Sequence, residues 1–329
     1  MKALRIGFIF SIMAIVCFLF ACADMTPTVK PEGKTTIRIG SPFKSGIVVE
    51  AAEKFKEVVE KGSAGRIEVK IDAGTKAEID INKMNRAGEL EMQSNGTNFL
   101  ELYAPPYYFF TAPYVMKDFD HYMRAWNGKL GQQARAELEK NDLKYLATIY
   151  RGLRQMTTNK PVYTPADVYN LKLRLPPVPT WMAVWKAMGT DPVGVPLPEL
   201  YNSLKTGKAE ASEGDLPQIA GFNLFQVQSH LIITNHLVQT AGILINKPFF
   251  DKLSKADQDL IVKAGQEAEQ WANNKIKIDE PATLVDLQRK GMQVVIPNAD
   301  SFRAKAKSTV DELFKTQWSV TTWAEVLAQ

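Results

Sequence analysis

The chain has 329 residues, enough for about two domains at roughly 100–200 residues each. Hydrophobic residues make up 45% and charged residues 23%, a balance that excludes a disordered or collagen-like chain. The net charge of +4 is too weak an excess for a nucleic-acid binder, and the two cysteines, Cys17 and Cys22, both lie near the start, which excludes a disulfide framework, a cysteine-based zinc site and a cysteine nucleophile in the folded body.

Lys2 and Arg5 open the chain, and an almost unbroken apolar run follows over residues 6–21. That is the pattern of a secretory signal peptide, and it is shorter than the ~20 residues that cross a bilayer. Two endings fit. Leu19-Phe20-Ala21-Cys22 matches a lipobox, in which Cys22 becomes a lipidated N-terminus; Ala21-Cys22-Ala23 also suits ordinary signal peptidase. The expectation is an exported, extracytoplasmic protein, free or tethered through Cys22. Residues 22–35, with Pro27 and Pro31, read as a linker.

Residues 36–40 alternate and predict a strand. A loop over 41–46 leads into Val48, Val49, Ala52, Phe55, Val58 and Val59 at helical spacing, with Gly62 as the stop. A second strand over 66–71 makes the opening β-α-β; a helix over 79–87 and a short strand over 90–93 follow. In the middle, Thr164-Pro165-Ala166-Asp167 has the signature of a helix start. Residues 171–175 alternate as a strand ended by Pro176-Pro177, residues 198–204 form a short helix, and 209–214 a strand and turn. Ser254 caps a long helix reaching about residue 280, where Pro281 should kink or interrupt it. A late strand over 293–296 and a final helix over 298–314 complete the series.

Helices between strands predict α/β sheets, here two of them. No Gly-rich phosphate loop accompanies them, which favours a two-lobed receptor over a nucleotide enzyme. Ligands of such folds sit at the carboxyl ends of strands, so the loops of interest are 41–46, 94–97, 174–181 and 213–217. Catalytic signatures for serine hydrolases, P-loop enzymes, zincins and dinucleotide enzymes are missing. His121, His230 and His236 lack metal-ligand spacing and read as structural hydrogen-bonders. The 36 acidic residues leave an acid/base pair open, but no catalytic residue, metal or cofactor is assigned.

From Arg151 onward the chain resembles a known family. The string Arg151-Gly152-Leu153-Arg154-Gln155-Met156-Thr157-Thr158-Asn159-Lys160-Pro161-Val162 is followed by Thr164-Pro165-Ala166-Asp167 and Leu171-Lys172-Leu173-Arg174-Leu175-Pro176. Trp185-Lys186-Ala187-Met188-Gly189, Pro196-Leu197-Pro198-Glu199-Leu200-Tyr201 and Phe249-Phe250-Asp251-Lys252-Leu253-Ser254 come in order after them. This order is similar to that of the solute-binding proteins of tripartite ATP-independent periplasmic (TRAP) transporters, in their DctP-like dicarboxylate-receptor family. The resemblance covers roughly residues 36–315.

The resemblance implies a two-lobed periplasmic-binding-protein fold, each lobe a mixed sheet flanked by helices, with a long helix spanning both. Lobe I takes residues 36–150 plus about 237–280, and lobe II takes 151–236 plus about 281–329. The lobes close on a small organic acid. The complex then docks on a permease made of a small and a large membrane subunit, driven by a sodium gradient. Two alternatives stand beside this reading: a binding protein feeding a signalling receptor, and an exported hydrolase or lyase on a similar scaffold.

The family's carboxylate-pairing arginine falls on Arg174. Alternation agrees, since it places Arg174 at a strand's carboxyl end, on the face opposite Leu171, Leu173 and Leu175. A planar guanidinium meets a carboxylate through two parallel hydrogen bonds; the alternative is a salt bridge to a nearby acid. Arg154 matches a second family arginine that assists there, or is a surface charge like Arg151. Leu216 stands where many relatives carry Asn, which weighs against a sialic- or uronic-type ligand. Glu213 or Asp215 is then placed to accept from a ligand hydroxyl or amine, unless Glu213 caps the turn or pairs with Arg174. Trp181 and Phe43 are candidate apolar walls, Asn95 is a candidate polar contact, and Asn235 and His236 fall near a crossing between lobes.

Overall fold

A computed structural model describes residues 34–329, so the apolar leader and Cys22 lie outside the described residues. The order is β1 (Thr35–Ser41), α1 (Ile47–Gly62), β2 (Ile67–Ala73), α2 (Glu78–Ala87), β3 (Met92–Gly96), α3 (Asn98–Tyr103), α4 (Phe119–Asn127), α5 (Lys129–Lys140) and β4 (Leu143–Thr158). The chain continues with β5 (Lys172–Leu175), α6 (Pro179–Ala187), β6 (Asp191–Gly194), α7 (Leu200–Lys205), β7 (Ala211–Asp215), α8 (Leu216–Gly221) and β8 (His230–Asn246). It ends with α9 (Lys247–Asp251), α10 (Lys255–Arg289), β9 (Gln293–Val295), α11 (Ala299–Thr316) and α12 (Trp323–Leu327).

Among the described residues the strands form one sheet in the order β2-β1-β3-β8-β4-β7-β5-β6, with β9 added to β8. The two expected sheets are therefore continuous. β4 and β8, 16 and 17 residues long, run antiparallel through both halves and join them. Strand direction then positions the cleft. β3 is antiparallel to β8, β8 to β4, and β4 to β7. β1 and β2 run with β3, while β5 and β6 run with β7. The carboxyl ends of β1–β3 therefore point toward the second half, and those of β5–β7 toward the first. Two carboxyl edges, the places where open α/β sheets bind ligands, face each other across the middle of β4 and β8.

The strand step leaves β4 without a strand neighbour on one side before Arg154. An orphaned buried backbone group costs about 1–3 kcal/mol, and α10 supplies the missing partners. Glu269 accepts from the Thr148 N–H at 2.6 Å. Asn273 accepts from the Tyr150 N–H at 2.7 Å and donates to the Thr148 carbonyl at 3.0 Å. Glu280 accepts from the Leu153 N–H at 3.1 Å. Spacings of four and seven keep these three on one helix face. Ala264, Gly265, Ala268 and Ala272 are buried on the same helix, and side chains this small let it lie close to the sheet. Gly152 has φ +104° and would put a Cβ 2.7 Å from the Glu280 carboxylate, so glycine is required there.

Three local expectations are corrected. α10 runs through Pro281 to Arg289 without a break. Lys277 and Pro281 are both exposed, so the hydrogen bond that proline removes lies on the solvent side, where water substitutes. Thr164 does start a helical segment with a full capping box, but it is a single 3₁₀ turn, Pro165–Val168. Glu213 and Asp215 belong to strand β7 and not to the loop after it.

Candidate ligand-binding site

β4 and β8 lose register at the centre of the molecule. Between the pairs Arg154↔Leu237 and Met156↔Ile232, the single residue Gln155 faces residues 233–236 of β8. Asn235 takes a left-handed conformation, φ 44°, one that Asn tolerates better than most residues. The Gln155 amide secures the bulge, accepting from the Asn235 N–H at 3.0 Å and donating to its Oδ1 at 2.7 Å. The bulge carries His236 inward until its Nε2 lies 3.0 Å from the Glu213 carboxylate and its Nδ1 2.8 Å from the Thr234 hydroxyl. An ionised carboxylate only accepts, so Nε2 carries the proton and Nδ1 accepts from Thr234.

Glu213 is fully buried and is held mainly by Arg154. Arg154 Nη2 donates to Oε1 at 2.7 Å, and Nε donates to Oε2. Nη1 donates to Gln239 Oε1 at 3.0 Å, and the guanidinium lies 5.0 Å from the centre of the Trp181 ring. Trp181 is fixed by its own Nε1–H, which donates to the Thr111 carbonyl at 2.8 Å. Burial alone would raise the Glu213 carboxyl, but the Arg154 charge and the bonds from His236 and Arg154 outweigh it and hold the carboxyl far below its ordinary range. His236 goes the other way: burial lowers it despite the pull of Glu213.

Arg174 is the contrasting case. It is 1% exposed, and its Nε donates to the Val195 carbonyl at 2.9 Å just past β6. Its Nη2 has no hydrogen-bond partner, and it forms no ion pair among the described residues. Burial pulls this guanidinium down to about 10, with Glu213 opposing the shift and Arg154 adding to it. Register explains the difference between the two arginines. Arg174 pairs with Ser212, which pairs with Thr157, so these three share one face of the sheet. Arg154, Glu213 and Asp215 rise from the other face.

At the rim, Arg151 Nη2 lies 2.9 Å from Asp215 Oδ2, and its guanidinium sits 4.6 Å from the centre of the Phe43 ring. Phe43 comes from the loop after β1, so this stack spans from the first half to the second. Asp215 also caps α8, accepting from the Gln218 N–H at 2.8 Å. Asn95 is fully buried in β3; its amide donates to Gln93 Oε1 and the Glu78 carbonyl, and its Oδ1 accepts from the Gly96 N–H. Glu280, on α10, is raised by burial, with Asp215 adding to the rise and the Leu153 N–H opposing it.

The structure thus brings Arg154, Glu213 and Trp181 into one cluster, and Phe43 and Asp215 into a second, joined by Arg151. Reading Arg151 as a surface charge is corrected: it is mostly buried between these two partners. His236 and Gln239 enter the cluster without having been singled out for it. A sequence signal for both exists: β8 is buried along nearly its whole length, and polar side chains in such a strand are exceptions that require partners.

The model of the bacterial extracellular solute-binding protein family 7 matches residues 44–317. The chain belongs to that family. It is 29% identical over 249 residues to the 2,3-diketo-L-gulonate-binding periplasmic protein YiaO of Escherichia coli, covering 74% of this chain and 76% of that one. It is 29% identical over 287 residues to the sialic acid-binding periplasmic protein SiaP of Vibrio cholerae, with 86% and 89% covered. Among solved structures, a TRAP periplasmic solute binding protein from Polaromonas, bound to D-erythronate, superposes with a TM-score of 0.81 at 26% identity. That match covers 89% of this chain and 98% of the other. A Roseobacter denitrificans counterpart with bound L-galactonate gives 0.78 at 27% identity, covering 87% and 98%. The family 7 protein described here is a TRAP-type solute receptor with the two-lobed architecture, and α10 is its long helix. Among the described residues no helix is long and apolar enough to cross a membrane.

Proposed function

We propose that this family 7 protein captures a small organic-acid anion in the cleft between its lobes and delivers it to a two-subunit TRAP permease. The observation that carries the reading is Arg174, a buried guanidinium at the carboxyl edge of β5 with an N–H left unbonded. A buried cation without a counter-charge is costly, and a ligand carboxylate supplies both the charge and the acceptor that are missing. The relatives' ligands, 2,3-diketo-L-gulonate, sialic acid, D-erythronate and L-galactonate, are all organic acids, which supports that class.

In this reading lobe I comprises residues 36–150 and about 237–280, and lobe II comprises 151–236 and about 281–329. The hinge lies where the chain crosses in β4 and β8, at the irregularities around Gly152 and Asn235. Closure brings Arg174 onto the ligand, with Phe43 and Trp181 as walls and Asp215 beside Arg151 at the rim. The protein acts by binding and assigns no residue to bond-breaking. Export through residues 1–21, with the protein then free or tethered at Cys22, puts it where such a permease takes up its load. The test is native mass spectrometry of protein purified without refolding, followed by a thermal-shift screen of organic acids. A co-purified acid recovered intact and a raised melting temperature support the reading; a panel of acids that leaves the melting temperature unmoved refutes it.

A further inference from the structure

We infer that His121 is a proton-sensitive latch: it fastens α12 to α4 while neutral, and acid loosens α12 from the body of the protein. The two residues at the centre of this contact, His121 and Val326, lie 205 positions apart in the chain. The last carbonyls of a helix have no partner within it. Lys117, His121 and Arg124, spaced four and three apart, supply partners at the end of α12. Lys117 Nζ donates to the Leu327 carbonyl at 2.9 Å, and Arg124 Nε donates to the Gln329 carbonyl at 2.9 Å. Between them His121 Nε2 meets the Val326 carbonyl at 2.8 Å. The outer two contacts are exposed, whereas His121 is fully buried.

Geometry fixes the protonation state this contact needs. The Lys117 backbone N–H donates to His121 Nδ1 at 3.0 Å, so Nδ1 is an acceptor and the single ring proton sits on Nε2, donated to Val326. A second proton can go only to Nδ1, where it confronts the Lys117 N–H. It also creates a buried cation beside Lys117 and Arg124, which oppose it, while Asp118 favours it. Asp118 is already engaged, accepting from the His121 N–H at 2.7 Å. The remaining charges nearby are turned elsewhere. Glu325, the one ionisable side chain of α12, is exposed and accepts from the Thr321 hydroxyl and the Thr322 N–H, and Lys129 of α5 acts on that carboxylate. Lys277 of α10 lies 4.0 Å from Asp120, on the exposed side of α4. The proton therefore binds where the ring meets water, so proton uptake and the opening of α12 are coupled. Opening uncovers Trp323 and Val326, both buried in the closed form.

Hydrogen exchange of the whole protein tests this, with rates corrected for the intrinsic effect of pH. The reporters are the Lys117 amide, held by His121 itself, and the Val326 amide, held by the Thr322 carbonyl within α12. From about pH 6.5, the ordinary histidine value, down to about pH 5, their protection is expected to fall by up to about tenfold per pH unit, while amides of β1 stay protected. In His121→Gln, whose side chain is neutral at every pH, the slope at both positions is expected to vanish whatever the level of protection. If that variant does not fold, the wild-type contrast between α12 and β1 still decides. Corrected rates at Lys117 and Val326 that ignore pH, or that rise only in step with those of β1, overturn the latch. So does a slope that survives in His121→Gln. None of these outcomes bears on the acid-binding reading, which is tested separately.

Discussion

Arg154 and Glu213 come from β4 and β7, 59 residues apart in the chain, and meet through two nitrogens and both carboxylate oxygens in a region without solvent. Arg154 is the neighbour whose charge counts most in keeping that carboxylate ionised, and His236 and Gln239 satisfy the remaining valences of the pair. Such a pair is worth little against a hydrophobic replacement, but its halves cannot be separated cheaply.

Glu213→Ala therefore strands a buried guanidinium, and the expected loss is about 3–5 kcal/mol in urea denaturation. Replacing both members, Arg154→Met with Glu213→Leu, is expected to cost clearly less than the single change. If the single change costs no more than the double, the pair is not the closed unit described here.

The neighbouring histidine makes stability depend on pH. His236 is lowered by burial, and a histidine depressed in the fold contributes stability that is full above its unfolded value of about 6.5 and is lost as pH falls through that value toward the folded one. Glu213, depressed far below this window, stays ionised throughout and adds no slope of its own. Between about pH 7.5 and about pH 5.5 the wild-type melting temperature is expected to drop more than that of His236→Gln. Equal drops in the two proteins would assign the slope to other groups.

The cover that α10 gives β4 is measurable by itself. Asn273→Ala unpairs the Tyr150 N–H and the Thr148 carbonyl together, with an expected cost of about 1–3 kcal/mol and faster hydrogen exchange at the Tyr150 amide. The exposed neighbour Asn274, changed to Ala, serves as the control and is expected to leave exchange there unaltered.

The opening β-α-β was readable because its signals are local. Ile37 and Ile39 alternate with Arg38 and are fully buried, and Val48, Ala52, Phe55 and Val59 form one helical stripe. Arg174 was placed at a strand's carboxyl end by the same alternation. The passage of β4 and β8 between the halves was not readable, because Arg151, Gly152, Arg154 and Gln155 break the apolar alternation where the strand carries the site. Pro281 carries a local signal to break a helix, but packing on both sides of it sustains α10 as far as Arg289. The Arg154 partner depends on strand register, which aligns Met156 with Glu213 and brings the two arginines up on opposite faces; nothing in the local sequence encodes that.

Ligand capture depends above all on Arg174 meeting the carboxylate of an organic acid. Calorimetric titration of the best acid from the screen against wild-type, Arg174→Lys and Arg174→Ala proteins tests it most directly. Truncating one partner of a buried, hydrogen-bonded charge pair costs about 2–5 kcal/mol, so Arg174→Ala is expected to weaken binding by at least about tenfold. Arg174→Lys, which keeps the charge and loses the planar fork, is expected to fall between the two. Affinity unchanged in a folded Arg174→Ala protein would contradict the account.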